Sequence, residues 1–313
     1  NLITYLYTMA ETLHRFIGYI VLILVLLSGA IQPAHAVKGG QTDIRREVVI
    51  SALDTKCVKA WERAILRPNY RKDIAFLEKL NDLMEPRIIN KLPNGQSDLD
   101  DIIAALVHPH TGSSHPFMKN VALHLDDIKH FVNNFSEVEG FNKVVSGLKN
   151  KNFYAQDGVS HLLNRLKSLD PSSVAKLEGK IIDADNLDGI CENCLFDIQL
   201  TSGKKIEMKS YSETTLNSIA VNSKFRKQFK AYLASIEDID GMEYVFNRKK
   251  FNNLGEIKNK FKELFQHDNY SIYDEVNQVN PSIFSSLGID DLDDFITKVD
   301  GLDPNLYNFI SVY

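Results

Sequence analysis

Residues 194–211, CLFDIQLTSGKKIEMKSY, decide how this chain folds. Phe196, Ile198 and Leu200 alternate with Asp197 and Gln199; after Thr201, Ser202 and Gly203, Ile206 and Met208 alternate with Glu207 and Lys209. Such period-two patterning predicts two β-strands with one apolar and one polar face. A short loop ending on glycine, at the left-handed position, predicts that they form a hairpin. The loop pairs Leu200 with Lys204, which sets Asp197 opposite Glu207 on the polar face, with Lys209 two residues further along the same side. Opposed carboxylates in an antiparallel pair repel one another. A neighbouring lysine offsets part of that repulsion, and a divalent cation between the acids offsets more. Mg²⁺ characteristically takes one or two carboxylates together with phosphate oxygens. In that reading the metal polarises a phosphate and lowers the pKa of a bound water, while Lys209 positions the water or stabilises developing charge. The plain alternative is a solvated hairpin face that carries these residues without using them.

The next helical stretch, residues 222–236, places Gln228 and Tyr232 four positions apart and therefore on one face. Lys224, Arg226, Lys227 and Lys230 surround them, enough positive charge to contact a phosphate backbone. Together, Asp197, then Glu207-Met208-Lys209, then Gln228 to Tyr232, resemble the active-site series of the PD-(D/E)XK nuclease superfamily, including the QxxxY element that some members carry. The resemblance covers residues 158–265. It implies a restriction-endonuclease-like mixed α/β domain whose Asp197 and Glu207 bind Mg²⁺ or Mn²⁺, whose Lys209 serves phosphodiester hydrolysis, and whose Gln228 and Tyr232 support the site or touch substrate. A further metal-ligating acid often precedes the hairpin in that superfamily, and Glu178 is the candidate. No proline precedes Asp197, which departs from the superfamily's eponymous motif.

The wider arrangement also resembles C-terminal nuclease modules of bacterial polymorphic toxins: Lys59-Ala60-Trp61-Glu62, then the helix opening at Gly158, then the hairpin. This likeness implies a toxin effector acting on a competitor's nucleic acid, DNA or RNA, with a cognate immunity protein as partner. The alternative of a different class is a non-catalytic exported protein-binding module on a degraded nuclease core.

Outside this region the chain says less. Hydrophobic residues make up 44% and charged residues 25% of 313, an ordinary globular composition, and the formal charge of −5 gives no global sign of a nucleic-acid binder. The distribution is more telling. Residues 204–264 hold thirteen Lys/Arg against eight Asp/Glu, whereas residues 265–313 hold nine acids against one lysine. Within that acidic segment, DDLDDFITKVDGLD reads as an amphipathic helix or strand closing the domain. Upstream, His14 and Arg15 precede the apolar run of residues 16–31, and Ala34-His35-Ala36 gives a small-x-small cleavage pattern. This predicts a signal peptide over residues 1–36, with residues 1–8 lying ahead of Met9 and its start. It also predicts a periplasmic or secreted product with no stable membrane association after cleavage.

Residues 37–157 read as a helical region, with a helix from Asp98 to Val107 capped by Ser97. His108, His110 and His115 lie in a proline-punctuated loop, more simply a polar loop than a metal site. Cys191 and Cys194 form a CxxC suited to a local disulfide at the entry to the hairpin; Cys57 leaves the count odd. From residue 158 the expected order is helix, strand or helix edge, hairpin, helix, strand over 242–246, and a basic helix over 255–265, which is a mixed α/β pattern.

Overall fold

The computed structural model describes residues 74–106, 121–181 and 194–313. The chain divides into two compact units, residues 1–81 and 82–313. Of the first, only residues 74–81 are described, as the greater part of the helix Ile74–Leu83. The sheet and every other described helix belong to the second. The predicted signal segment, the histidines of residues 108–115, and Cys191 lie outside the described residues. Among the described residues no helix is long and apolar enough to cross a membrane.

After a single turn at Pro86–Ile89 come helices α1 (Gln96–Leu106), α2 (Val121–Phe135), α3 (Phe141–Leu148) and α4 (Phe153–Leu166). Helix α3 shows why they pack: Phe141, Val144, Val145 and Leu148 recur at helical spacing and are all buried. Helix α1 starts earlier than expected, so Ser97 sits inside its first turn. The structural role there passes to buried Asp98, whose Oδ2 accepts from the Asn94 N–H at 2.8 Å and whose Oδ1 accepts from Lys149 Nζ at 2.7 Å. Helix α4 likewise starts five residues ahead of the expected opening at Gly158. Asn152 caps it by accepting from the N–H groups of Tyr154 and Ala155, and Gly158 is carried inside the helix instead of breaking it.

The sheet comes next along the chain: β1 (Val174–Lys180), β2 (Leu195–Leu200) and β3 (Lys205–Lys209), then helices α5 (Glu213–Asn217) and α6 (Ser223–Ala234), then β4 (Met242–Phe246). Helix α7 (Leu254–Val279), helix α8 (Leu292–Asp300) and β5 (Ile310–Val312) complete it. Strand order is β1-β2-β3-β4-β5. The first three strands form an antiparallel meander, and β4 and β5 add in parallel to β3. Parallel neighbours need a crossover; α5 and α6 supply the first, α7 and α8 the second. The fold class is therefore mixed α/β, as expected.

The hairpin turns as predicted. Gly203 has φ +90°, and the Leu200 N–H donates to the Lys204 carbonyl at 2.8 Å. The expected boundary at residue 265 falls within α7, whose helical geometry breaks where Asp268, Asn269 and Tyr270 adopt φ of 52°, 56° and 63°. The acidic segment is part of the domain, because its apolar residues Phe284, Phe295, Tyr307, Phe309 and Ile310 enter the core while the acids stay outside. The stretch read as helix or strand is helix α8. At the centre of the core, Phe229 of α6 meets the rings of Tyr244, Phe261, Phe265 and Phe309 at centroid distances of 5.4 to 5.7 Å. This aromatic cluster fixes α6 against β4 and α7.

Candidate active site

Helix α6 lies across the face of β3 that carries Glu207 and Lys209. The alternation predicted a polar face, with a solvated one as the plain alternative; the structure buries this part of it, leaving Glu207 5% and Lys209 7% exposed. A buried carboxylate needs partners, and Glu207 has three. Its Oε1 accepts from Lys209 Nζ at 2.5 Å and from Gln228 Nε2 at 2.9 Å, and its Oε2 accepts from the Tyr232 hydroxyl at 2.6 Å. Because Gln228 and Tyr232 are one turn apart on α6, both reach the same carboxylate from above. The Gln228 amide is used at both ends. Its oxygen accepts from Lys209 at 3.1 Å, and its nitrogen also donates to the Leu195 carbonyl at 3.2 Å. Reversing the amide would point NH₂ at an ammonium, so the network sets its orientation.

Asp197 enters by a different device. The β2–β3 ladder runs through Gln199–Lys205 and Ile198–Ile206 and then stops. The Met208 N–H, which would continue the ladder, donates instead to Asp197 Oδ2 at 2.5 Å. The strands part at this point, and the Asp197 carboxylate occupies the gap. On the other side of β2, the pairs Leu177–Ile198 and Gly179–Phe196 bring Glu178 abreast of Asp197. Glu178 has φ +48°, a left-handed conformation that costs a non-glycine residue roughly 1–2 kcal/mol. Lys143 Nζ donates to its carbonyl at 2.7 Å. Gly179 beside it is required by packing, since a Cβ there would collide with the Phe196 ring.

The electrostatics follow from this crowding. Burial, then the Glu207 and Glu178 charges, push the Asp197 carboxyl well above its ordinary range, against the opposing pull of Lys209 and the Met208 N–H. Burial and Glu207 raise Glu178 as well, opposed by Lys143. Burial disfavours the Lys209 ammonium, but Glu207, Tyr211 and Asp197 outweigh it and hold the group above the usual lysine range. The ammonium also lies within 5.5 Å of the Tyr211 and Phe225 ring centroids and 5.8 Å of Tyr244. Tyr244, abreast of Glu207 on β4, keeps a buried hydroxyl with no hydrogen-bond partner among the described residues.

A cavity of about 400 Å³ opens over this cluster, with Asp197, Glu207, Lys209, Tyr211, Lys224 and Gln228 in its wall. Of the four basic residues expected to bind substrate, Lys224 lines the cavity and Lys227 is exposed on α6. Arg226 and Lys230 do not line it. Arg226 meets His267, 2.6 Å from its Nδ1, and lies 3.8 Å from Asp268, while Lys230 pairs with Glu275. The reason is helical: positions 226 and 230 each lie two residues from Gln228, about 200° around the axis.

The acids suit a hard divalent cation in their chemistry, oxygen donors in excess of the one lysine that offsets them. Asp197 and Glu207 face the cavity, and Glu178 stands beside Asp197 without lining it. Among the described residues no cluster of three or more His, Cys, Asp or Glu side chains is arranged to hold a metal ion. Cys194 is disulfide-bonded, and its partner lies outside the described residues.

The sequence also left a supporting network unread. Ser210, next to Lys209, donates its hydroxyl to Asp157 Oδ2 at 2.7 Å and accepts from Asn247 Nδ2 at 2.8 Å. Lys250 donates to the Ser210 carbonyl at 2.8 Å and pairs with Asp157. This network anchors the end of β3 to α4 and to the end of β4, and so positions the Lys209–Tyr211 segment. Comparison with known protein families, curated proteins and solved structures gives no match to this chain.

Proposed function

We propose that this domain is a metal-dependent nuclease of the PD-(D/E)XK kind, hydrolysing phosphodiester bonds in nucleic acid. The observation that carries the reading is the convergence of Asp197, Glu207, Lys209, Gln228 and Tyr232 on one buried cluster that faces a cavity. An antiparallel three-strand meander extended by a parallel fourth strand behind a helical crossover also supports it, as a sheet of the mixed type that the superfamily uses.

In this reading Asp197 and Glu207 hold Mg²⁺ or Mn²⁺, with Glu178 as a further acid nearby. The bound ion would supply Lewis acidity toward phosphate and a water of lowered pKa. Lys209, held above the usual lysine range and therefore charged, lines the cavity beside the acids, where it stabilises negative charge developing on a phosphoryl group. Gln228 accepts from Lys209 and donates to Glu207, holding the two side chains in one plane of contact. Tyr232 fixes the other oxygen of the Glu207 carboxylate. Lys224 at the cavity wall and Lys227 on the same helix attract the phosphate backbone. Export, a role as a toxin effector and a cognate immunity protein belong to the same proposal; export rests on the signal-peptide pattern of residues 1–36 and the other two on the sequence likeness.

One observation favours the alternative, a binding module on a retired core: the chain's own side chains already occupy both Glu207 oxygens. One experiment separates the two. The protein is incubated with plasmid DNA and with total RNA in Mg²⁺, in Mn²⁺ and in EDTA, alongside Glu207→Gln. Metal-dependent cleavage that the variant loses supports the nuclease; a folded protein inert toward both polymers in every metal supports the binding module.

A further inference from the structure

The candidate reacting groups Asp197, Glu207 and Lys209 line one cavity, whose size and wall bear on what it can hold. Its wall comes from successive segments: Asp197 of β2, Glu207 and Lys209 of β3, Tyr211 and Thr215 around the start of α5, Ile219 before α6, and Lys224, Phe225 and Gln228 of α6. At about 400 Å³ it lies near the small end of pockets that take one small-molecule ligand. Seating a whole nucleotide in such a space, base included, requires that base to be unpaired, and in a duplex this costs a few kcal/mol of unstacking.

The wall is also of mixed character. Tyr211 is half-buried, with its ring edge-on to Phe225 at 6.2 Å and to Phe246 at 6.4 Å, so it is braced from behind while lining the cavity. Ile219 and Phe225 add apolar surface, and Lys224 adds an exposed cation at the wall. Apolar and aromatic surface beside a phosphate-directed lysine is the combination that binds a nucleotide irrespective of sequence.

We infer that the cavity accepts a single unpaired nucleotide, so that the substrate is single-stranded nucleic acid, with Tyr211 forming the surface against which the base or sugar lies. This inference rests on the nuclease reading and narrows its substrate. DNA and RNA share the chemistry, and the test carries an arm for each.

The test uses labelled single-stranded and duplex oligonucleotides of one sequence, as DNA and as RNA. Binding is followed by fluorescence anisotropy in EDTA, and cleavage is followed in Mg²⁺ or Mn²⁺. Single strands are expected to bind and be cut about tenfold better than duplexes, or more. Tyr211→Ala is expected to erase most of that preference, whereas Tyr211→Phe, which keeps the ring, retains it. Equal or better use of duplex overturns the inference and leaves the nuclease reading standing. A preference for single strands that survives Tyr211→Ala overturns the role of Tyr211. A protein that neither binds nor cuts any of the four polymers overturns both readings.

Discussion

The Tyr232 hydroxyl donates to Glu207 Oε2 at 2.6 Å from a helix that shares no sheet hydrogen bond with β3. Both residues are buried, so this is a charge-assisted bond shielded from water. Tyr232→Phe should therefore destabilise the domain by about 1.5–3 kcal/mol, the usual worth of a hydrogen bond to a charged group. Metal-dependent cleavage should fall as well, because the carboxylate loses its fixed orientation. Urea unfolding and initial rates on one substrate check the two effects. Unchanged values in both would mean that the bond does not hold Glu207 in place.

Glu207 and Lys209 form a buried ion pair, and such pairs are costly to break from one side only. Lys209→Met should cost about 3–5 kcal/mol by leaving the carboxylate without its cation, with Glu207→Gln somewhat milder because glutamine keeps partners for Gln228 and Tyr232. The double variant should be far less destabilised than the two single changes summed, with a coupling of about 1–3 kcal/mol. All three should be inactive. A double-mutant cycle by denaturant unfolding decides it, and additive values would show that the pair contributes nothing to stability.

Asp197 is held where burial and two neighbouring acids disfavour its charge. A carboxyl raised in the folded state binds its proton more tightly there than in the unfolded chain. Its contribution is therefore complete below the ordinary aspartate pKa of 3.8 and is lost as pH rises above that value. At neutral pH without metal, Asp197→Asn should raise the melting temperature while abolishing cleavage, the pattern expected where function is maintained at the expense of stability. Added Mg²⁺ should raise the melting temperature of the native protein and leave that of Asp197→Asn nearly unmoved. A variant less stable than the native protein in EDTA would show that the Met208 N–H contact outweighs the crowding of charge.

The register of the hairpin was legible because two signals agreed: alternation named the faces, and Gly203 named the turn. The pairing of Gln228 with Tyr232 was legible from their spacing of four. Burial of the Glu207 and Lys209 face was not, since alternation distinguishes polar from apolar sides but is silent on which helix covers them. Arg226 and Lys230 looked like substrate contacts because a count of charges ignores direction around a helix. Asp157 escaped notice because Gly158 read as a helix start, and its role depends on Ser210 and Lys250, 53 and 93 residues away. Strand β5 spans only Ile310–Val312, too short to show a period.

Two histidines on neighbouring helices, His124 of α2 and His161 of α4, are expected to shape the response to acid. Burial lowers His124 and His161 each from 6.5 to about 4, with Asp127 and Asp157 opposing at His124, and the Val245 carbonyl and Asp157 opposing at His161. The His161 ring lies 3.2 Å from the Val245 carbonyl, and the His124 ring lies 3.0 Å from the Ser160 hydroxyl, so both neutral rings have polar partners. A histidine depressed in the folded state favours folding above its unfolded pKa, and that contribution is lost as pH falls through the folded value. Stability should thus decline between pH 6.5 and about 4, by an amount on the order of 3 kcal/mol per histidine at most. His161→Gln, which keeps a donor for the Val245 carbonyl, should flatten the decline by roughly half. Denaturant unfolding at intervals across this range measures it, and a variant with the native protein's full slope would assign the acid response to other groups.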